Sequence, residues 1–259
     1  MERVDRPTVA TFYAAEPLAP GAAVTLGEDA AHHIRVLRLA PGERVALTDG
    51  AGHRASGTLI RVAKGHAVVD VAEVRQYDPL PPVHALVPVA DRERMLWLAE
   101  KCVELGASSW RPVLWRRSRS VAPRGEGTTF QGRVRARMTA ALAQSEGAWL
   151  AQAYPDATLE RALAAAPAGG TRVLMDADGA PILSLPLVAP VTIAVGPEGG
   201  LERAERDQLR DAGFAPASLG GHILRFETAA VAALAVVRCA LHAPPRGELS
   251  PTSRPADHA

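Results

Sequence analysis

The chain reads as an α/β protein in two parts, a small β-rich N-terminal unit followed by a larger α/β unit. Three observations predict this. Short alternating apolar runs separated by Gly- and Asp-containing turns fill the first eighty or so residues. The stretch QYDPLPP, Gln76 to Pro82, carries three prolines and reads as a linker. Beyond it, strand-like runs alternate with helical periodicity, which implies βαβ units and parallel strands. A length of 259 residues suits one large or two modest domains, and 47% hydrophobic residues fit a globular core.

In the N-terminal unit the strand runs are Ala23 to Leu26, Arg44 to Thr48, Gly57 to Val62 and Ala67 to Val74. Asp49-Gly50-Ala51-Gly52 is a hairpin signal between the second and third runs. A short helix is expected over Glu28 to Leu39, where His32, His33, Arg35 and Arg38 gather donors on about two turns. Adjacent helical residues diverge by about 100°, so His32 and His33 do not form a metal pair.

The second unit opens with a strand, Val83 to Val89, and a helix capped by Asp91 and stopped by Gly106. Met95, Leu98, Cys102 and Leu105 fall on one face of that helix. A strand follows over Trp110 to Trp115, then helices over Gly132 to Trp149 and Thr158 to Ala166. The run Thr171 to Met175 is a strand closed by the turn Asp176-Ala177-Asp178-Gly179, whose two aspartates suit Asx-turn chemistry better than a metal site. Val191 to Val195 is a buried strand leading into Gly196-Pro197-Glu198-Gly199-Gly200 and a charged helix, LERAERDQLRDAG. The pattern repeats: Ala217 to Leu219 as a strand, Gly220-Gly221 as a loop, Thr228 to Ala243 as an apolar helix with Thr228 at its cap.

Two glycine loops thus open from strand ends, which is where open α/β sheets bind ligands. Neither matches the Walker A loop or the GxGxxG fingerprint. Lacking a Cβ, their glycines let backbone groups approach a ligand closely. Net charge is only +1, yet eight arginines against the single acid Glu126 lie between Arg111 and Arg137, a stripe suited to phosphates. Of 29 basic residues 27 are arginine, a bias that a GC-rich genome also produces. Cys102 and Cys239 are far apart and outside any CxxC, so a reducing compartment is expected, with neither a disulfide nor a metal site. No apolar run of about eighteen residues and no signal-peptide pattern occurs, so a cytoplasmic location is expected.

VGPEGGL and LGGHILRFETAAVAAL together resemble the two signature loops of the 16S ribosomal RNA uracil-N3 methyltransferases of the SPOUT superfamily. The phrases AAHHIRVLRLAPGE and ERMLWLAEKCVELGASSWRPVLWRRS resemble further blocks of that family. The resemblance implies a SPOUT-type α/β trefoil-knot domain at 79–243, preceded by a PUA-like RNA-binding β domain at 1–78; the polar, Pro-rich composition of 244–259 predicts a disordered tail. The resemblance further implies S-adenosylmethionine as cofactor, 16S rRNA of the small ribosomal subunit as partner, and a homodimer that sets the second subunit beside the cofactor. Thr228 to Leu241, apolar on nearly every side, is the expected dimer contact, and no membrane and no metal are expected.

By the same resemblance the cofactor is held by Leu174, Met175, Gly196, Pro197, Glu198, Gly199, Leu219, Gly220, Ile223, Leu224 and Thr228. RNA contacts fall to His32, His33, Arg35, Arg38, Lys101, Arg117 and Arg119. Arg225 is the candidate cation beside the uracil, and Glu227, or Glu198, the candidate base, although either acid equally suits a helix cap or an arginine partner. The chain departs from the family at Ala143 to Ala148, where an acid and an Arg are missing, and at Gly221-His222 and Phe226. Phe226 suits base stacking or packing on the fold. These departures leave two alternatives: a non-catalytic RNA-binding homologue, and a methyltransferase of another RNA.

Overall fold

The computed structural model describes residues 10–118 and 128–242. Its first sheet comprises β1 (Thr11–Tyr13), β2 (Ala23–Leu26), β3 (Arg44–Thr48), β4 (His53–Val62) and β5 (Ala67–Gln76), in the order β1-β3-β4-β5-β2. All pairings are antiparallel except β1 with β3. Alternation sends Val24, Leu26, Val45, Leu47 and Leu59 into one core, and α1 (Glu28–Val36) closes it with Ala31 and Ile34. That helix stops short of the expected Leu39. Arg38 takes a φ of 57° and the Leu39 N–H bonds the Ile34 carbonyl at 3.0 Å, a left-handed helix stop. The three-residue β1, too short to show alternation, was not among the expected strands; its parallel register with β3 defines it.

The second sheet comprises β6 (Val83–Pro88), β7 (Ser109–Leu114), β8 (Gln152–Ala153), β9 (Ala157–Thr158), β10 (Thr171–Pro181), β11 (Val191–Val195) and β12 (Ala215–Ser218). Its order is β12-β10-β11-β6-β7-β8, with β9 also on β7, and every pairing is parallel. All strand C-termini therefore share one edge. The five residues of central β11 are all buried, as expected of a strand covered on both faces.

Helices α2 (Arg92–Glu104), α3 (Thr128–Gln144), α4 (Leu159–Ala164), α5 (Arg203–Asp211) and α6 (Phe226–His242) supply the cover. On one face Met95, Leu98 and Cys102 of α2 meet Ala233, Leu234 and Val237 of α6 over Val83, Val87 and Ile193. On the other, Leu159, Ala162, Leu209 and Phe214 pack on Leu86, Leu174 and Ala194. Among the described residues no helix is long and apolar enough to cross a membrane.

Local chemistry sets the helix ends. The Asp91 carboxylate accepts from the N–H groups of Glu93 and Arg94 at 3.0 and 3.2 Å, and Gly106 leaves α2 at a φ of 67°. The expected helix Gly132 to Trp149 is instead Thr128–Gln144. Glu146 adopts a φ of 54° and the Gly147 N–H caps the Leu142 carbonyl at 3.0 Å, so the chain has turned before Trp149, which bridges to Ala51. Asp176 to Gly179 does not end its strand. It is a register irregularity within β10, with the Asp178 N–H bonded to Asp176 Oδ1 at 3.2 Å.

The two sheets meet at the β3–β4 hairpin. Thr48 Oγ1 donates to the Gly147 carbonyl at 2.8 Å, the Gly52 N–H to Ala148 at 2.9 Å, and the Leu150 N–H to Gly50 at 2.9 Å. Buried Arg238 of α6 donates to the carbonyls of Leu105, Pro81 and Gly106, tying the last helix to the linker and to the end of α2.

Candidate cofactor and RNA site

A cleft of about 330 Å³ opens at the C-terminal edge of β10, β11 and β12. Its first wall is the loop after β11, with Gly196, Pro197, Glu198, Gly200 and Leu201. The Gly200 N–H donates to the Pro197 carbonyl at 2.8 Å, closing a tight turn in which Gly200 has a φ of 72°. The second wall is Leu219, Gly220, His222, Ile223 and Leu224, and the third is Met175 to Asp178. Phe226 and Ala229 contribute from α6. Gly220 has a φ of 143°, and a Cβ built there meets nothing within 4 Å, so this glycine faces open space. The cleft thus combines apolar walls, backbone at close range and a few charged groups.

Of the expected cofactor residues, Met175, Gly196, Pro197, Glu198, Leu219, Gly220, Ile223 and Leu224 line the cleft. Leu174 does not: it is 5% exposed and packs among Leu86 and Ala194 behind the site. Gly199 lies against Arg117 instead, where an added Cβ would approach the Arg117 Cβ and carbonyl oxygen at 3.1 Å. Thr228 is neither a cap nor a lining residue, because α6 begins two residues earlier at Phe226 and leaves Thr228 exposed.

Sequence reasoning missed Arg94. It lies in the first turn of α2, and its guanidinium meets Glu227 through two bonds, Nε to Oε1 at 3.1 Å and Nη2 to Oε2 at 2.5 Å. Nη1 reaches Glu198 Oε1 at 2.5 Å, and the guanidinium carbon stands 4.4 Å from the centre of the Phe226 ring. One side chain therefore joins the first glycine loop to the start of α6. The Glu227 hydrogen bond, opposed by partial burial and supported by Glu198, holds the Arg94 pKa above its ordinary value. Glu227 and Glu198 are arginine partners here, one of the roles weighed for both acids. Phe226 is 2% exposed and belongs to the core, so it packs on the fold and does not offer a stacking face.

Arg225 is exposed and outside the lining, although its neighbours Leu224 and Phe226 are within it; its carbonyl accepts the Ala229 N–H at 2.9 Å. Arg117 donates to the Gly199 carbonyl at 3.3 Å, beside the cleft. Arg119 lies outside the described residues. Lys101 sits between Glu100 at 2.9 Å and Glu104 at 2.6 Å, so acids of its own helix already neutralise it; hydrogen bonds to Glu104 and Glu100 raise its pKa. His32, His33, Arg35 and Arg38 are all exposed on or just after α1, with Arg35 hydrogen bonded to the carbonyls of Ala31 and Lys64 at 3.2 Å. His33 also meets the Phe12 ring edge-on at 5.9 Å. Two further lining groups, Asp178 and His222, carry no ion pair among the described residues, whereas Asp176 is bonded to Arg206. Among the described residues no three His, Cys, Asp or Glu side chains cluster as metal ligands.

Comparison with known proteins gives this geometry a lineage. The RNA methyltransferase domain family matches residues 77–238, and the RNA methyltransferase PUA domain family matches residues 26–72. Ribosomal RNA small subunit methyltransferase E of Synechocystis sp. is 30% identical over 229 residues, covering 85% of this chain and 74% of that protein. The chain belongs to the ribosomal RNA small subunit methyltransferase E family. The namesake from Mycobacterium bovis is 29% identical over 225 residues, covering 83% of this chain and 85% of that protein. The crystal structure of the Neisseria gonorrhoeae member bound to S-adenosyl methionine superposes with a TM-score of 0.79 at 28% identity, covering 89% of this chain and 97% of that one. A Legionella pneumophila structure with bound SAM gives a TM-score of 0.81 at 25% identity, covering 91% and 98%. The α/β fold with its PUA-like N-terminal part, and the assignment as an rRNA methyltransferase using S-adenosylmethionine, follow from family membership.

Proposed function

We propose that this enzyme transfers the methyl group of S-adenosylmethionine to N3 of a uridine in 16S rRNA, working as a homodimer with a trefoil-knotted C-terminal unit. The observation that carries the reading is the convergence of two glycine loops and the β10 bulge on one cleft at the sheet edge. Its residues suit the cofactor. Met175, Leu201, Leu219 and Leu224 offer apolar walls, Gly196 and Gly220 leave the backbone bare, and Asp178 can accept hydrogen bonds from ribose hydroxyls.

The sulfonium supplies an activated methyl group, so the protein's task is alignment, exclusion of water and control of charge. Arg94 fixes the first glycine loop against α6. The N3 proton of uracil is lost only above neutral pH, and an adjacent cation favours the developing anion. Arg225 is proposed for that cation, reaching the base from the rim. With Asp178 given to the ribose, His222 is the lining group proposed to take the proton, having no ion pair among the described residues. Exposed His32, His33, Arg35 and Arg38 on the PUA-like part, with Arg117 beside the cleft, are proposed to hold the RNA.

The dimer is supported by apolar surface near the cleft: Ile223 is 93% exposed, and Val231 and Val236 of α6 are only partly buried. A monomer by light scattering at micromolar concentration would contradict it. For the reaction, purified small subunits and methyl-labelled S-adenosylmethionine should yield label in 16S rRNA. Cofactor binding without label in any RNA would support the non-catalytic alternative, and label in a different RNA the other one.

A further inference from the structure

Glu205 is 4% exposed, although it sits in the first turn of α5, where an acid ordinarily stays at the surface. Its Oε2 accepts the Glu202 N–H at 2.8 Å, the backward reach of a capping box that fixes where the helix begins. A cap needs only that one bond. Its Oε1 accepts the Arg116 N–H, also at 2.8 Å, from a residue 89 positions earlier. A desolvated carboxylate is costly unless its oxygens are met, and here two charge-assisted bonds from separate segments meet them.

The segments so joined are the turn after β7 and the first glycine loop. The turn closes with the Ser118 N–H on the Trp115 carbonyl at 3.0 Å and carries Arg116 and Arg117. Trp115, 3% exposed, shares a buried cluster with Leu209 of α5 and with Leu201, which lines the cofactor cleft. The two backbones approach closely: a Cβ on Gly199 would stand 3.1 Å from the Arg117 carbonyl oxygen and Cβ, and Arg117 Nη1 donates to the Gly199 carbonyl at 3.3 Å. The guanidinium groups of Arg116 and Arg117 are each 3.9 Å from Glu202 and more than half exposed. Pairs so loose and so wet are screened, and exchange readily for a phosphate. Arg117 is therefore placed by its backbone rather than by its ion pair.

We propose that Glu205 is a positioning residue for the RNA substrate. It seats the Arg116–Ser118 turn against the first glycine loop, so that Arg117 meets a phosphate of the strand whose target base enters the neighbouring cleft. Glu205 itself touches neither RNA nor cofactor and acts through Arg117. The inference rests on the reading of Arg117 as an RNA contact, which supplies the ligand class.

The test is binding of the full chain and its variants to small subunits from a strain lacking the enzyme, measured by filter retention over a salt series. Arg117→Ala removes one phosphate contact and should lower the slope of log affinity against log salt by about 0.7 to 0.9. Glu205→Gln keeps the volume but offers one oxygen to two N–H donors, which releases one of the two segments. It should flatten the slope by the same amount, and the Glu205→Gln/Arg117→Ala double variant should flatten it no further. Gly199 does not hold a left-handed φ, so Gly199→Val acts through its side chain, which displaces the Arg117 backbone without touching the buried carboxylate, and should give the same smaller slope. Methyl transfer to these subunits should show KM rising by a larger factor than kcat falls in Glu205→Gln. A purely structural Glu205 would lower Tm and leave the slope at its wild-type value. That result, a wild-type slope in Gly199→Val, or further flattening in the double variant would overturn the inference while the Arg117→Ala result keeps the RNA reading intact. An unchanged slope in Arg117→Ala itself would overturn the reading of Arg117 and the inference with it.

Discussion

Replacing Arg94 by Ala is the perturbation whose size the structure best defines. The side chain is 33% exposed, and its strongest partner, Glu227, is 13% exposed. Loss of the two-pronged contact leaves that carboxylate half-desolvated and unpaired, at about 1.5–3 kcal/mol for hydrogen bonds to a charged group. The contact with the Phe226 ring adds about 0.5–1 kcal/mol. Glu198 is 49% exposed, and its share is at most about 1 kcal/mol after solvent screening. These terms overlap, and about 2–4 kcal/mol is the expected total. For a chain of this size that lowers Tm by roughly 5 to 12 °C.

Arg94→Lys keeps the charge but not the fork, and should recover less than half of the loss. A double-mutant cycle with Glu227→Gln should show coupling above about 1 kcal/mol. Because Arg94 anchors the first glycine loop, S-adenosylmethionine affinity measured by calorimetry should fall in parallel. An Arg94→Ala protein with wild-type Tm, wild-type cofactor affinity and no coupling to Glu227 would refute the clamp.

Further outcomes are expected. Gly220→Val projects a branched side chain into space free of protein atoms and also strains a loop held at a φ of 143°; both effects should abolish S-adenosylmethionine binding while far-UV circular dichroism stays native, and wild-type affinity would place the cofactor elsewhere. Arg225→Ala should slow single-turnover methylation about a hundredfold with RNA affinity nearly intact, in line with about 2–4 kcal/mol for a lost charge-stabilising group. Arg117→Ala should weaken RNA binding and flatten its salt dependence, and the opposite pattern would exchange the two roles. Burial pushes the Cys102 thiol from 9.0 up to about 12, so a thiol reagent at pH 8 should label the exposed Cys239 alone in the native protein. Since the folded pKa is the higher one, the stabilisation from burying neutral Cys102 is complete below pH 9.0 and lost as pH rises toward about 12.

Sequence legibility tracked how local each determinant is. Val191–Val195 and Arg44–Thr48 were delimited correctly because apolar composition and the bounding glycines or turn residues are read within a few positions. Both glycine loops were placed for the same reason. The end of α3 was misjudged because its periodicity runs on past the point where Glu146 turns left-handed, and that turn answers to the β3–β4 hairpin about a hundred residues earlier. Arg94 stayed hidden because its partners lie 104 and 133 positions away, at Glu198 and Glu227, and no spacing rule connects them. Its place in the first turn after a strand end was the one available signal. The reverse error befell Thr228, whose capping chemistry is sound but whose helix starts earlier because Phe226 is drawn into the core.

The central claim is the position of the methyl group. Small subunits from a strain lacking this enzyme, incubated with the purified chain and S-adenosylmethionine, should be digested and their 16S rRNA nucleosides identified by mass spectrometry against synthetic standards. The account predicts one new 3-methyluridine per 16S rRNA, absent when Gly220→Val replaces the wild-type chain. A methyl group on a ribose, on another base or on C5 of the uracil ring, with N3 unmodified, would contradict it.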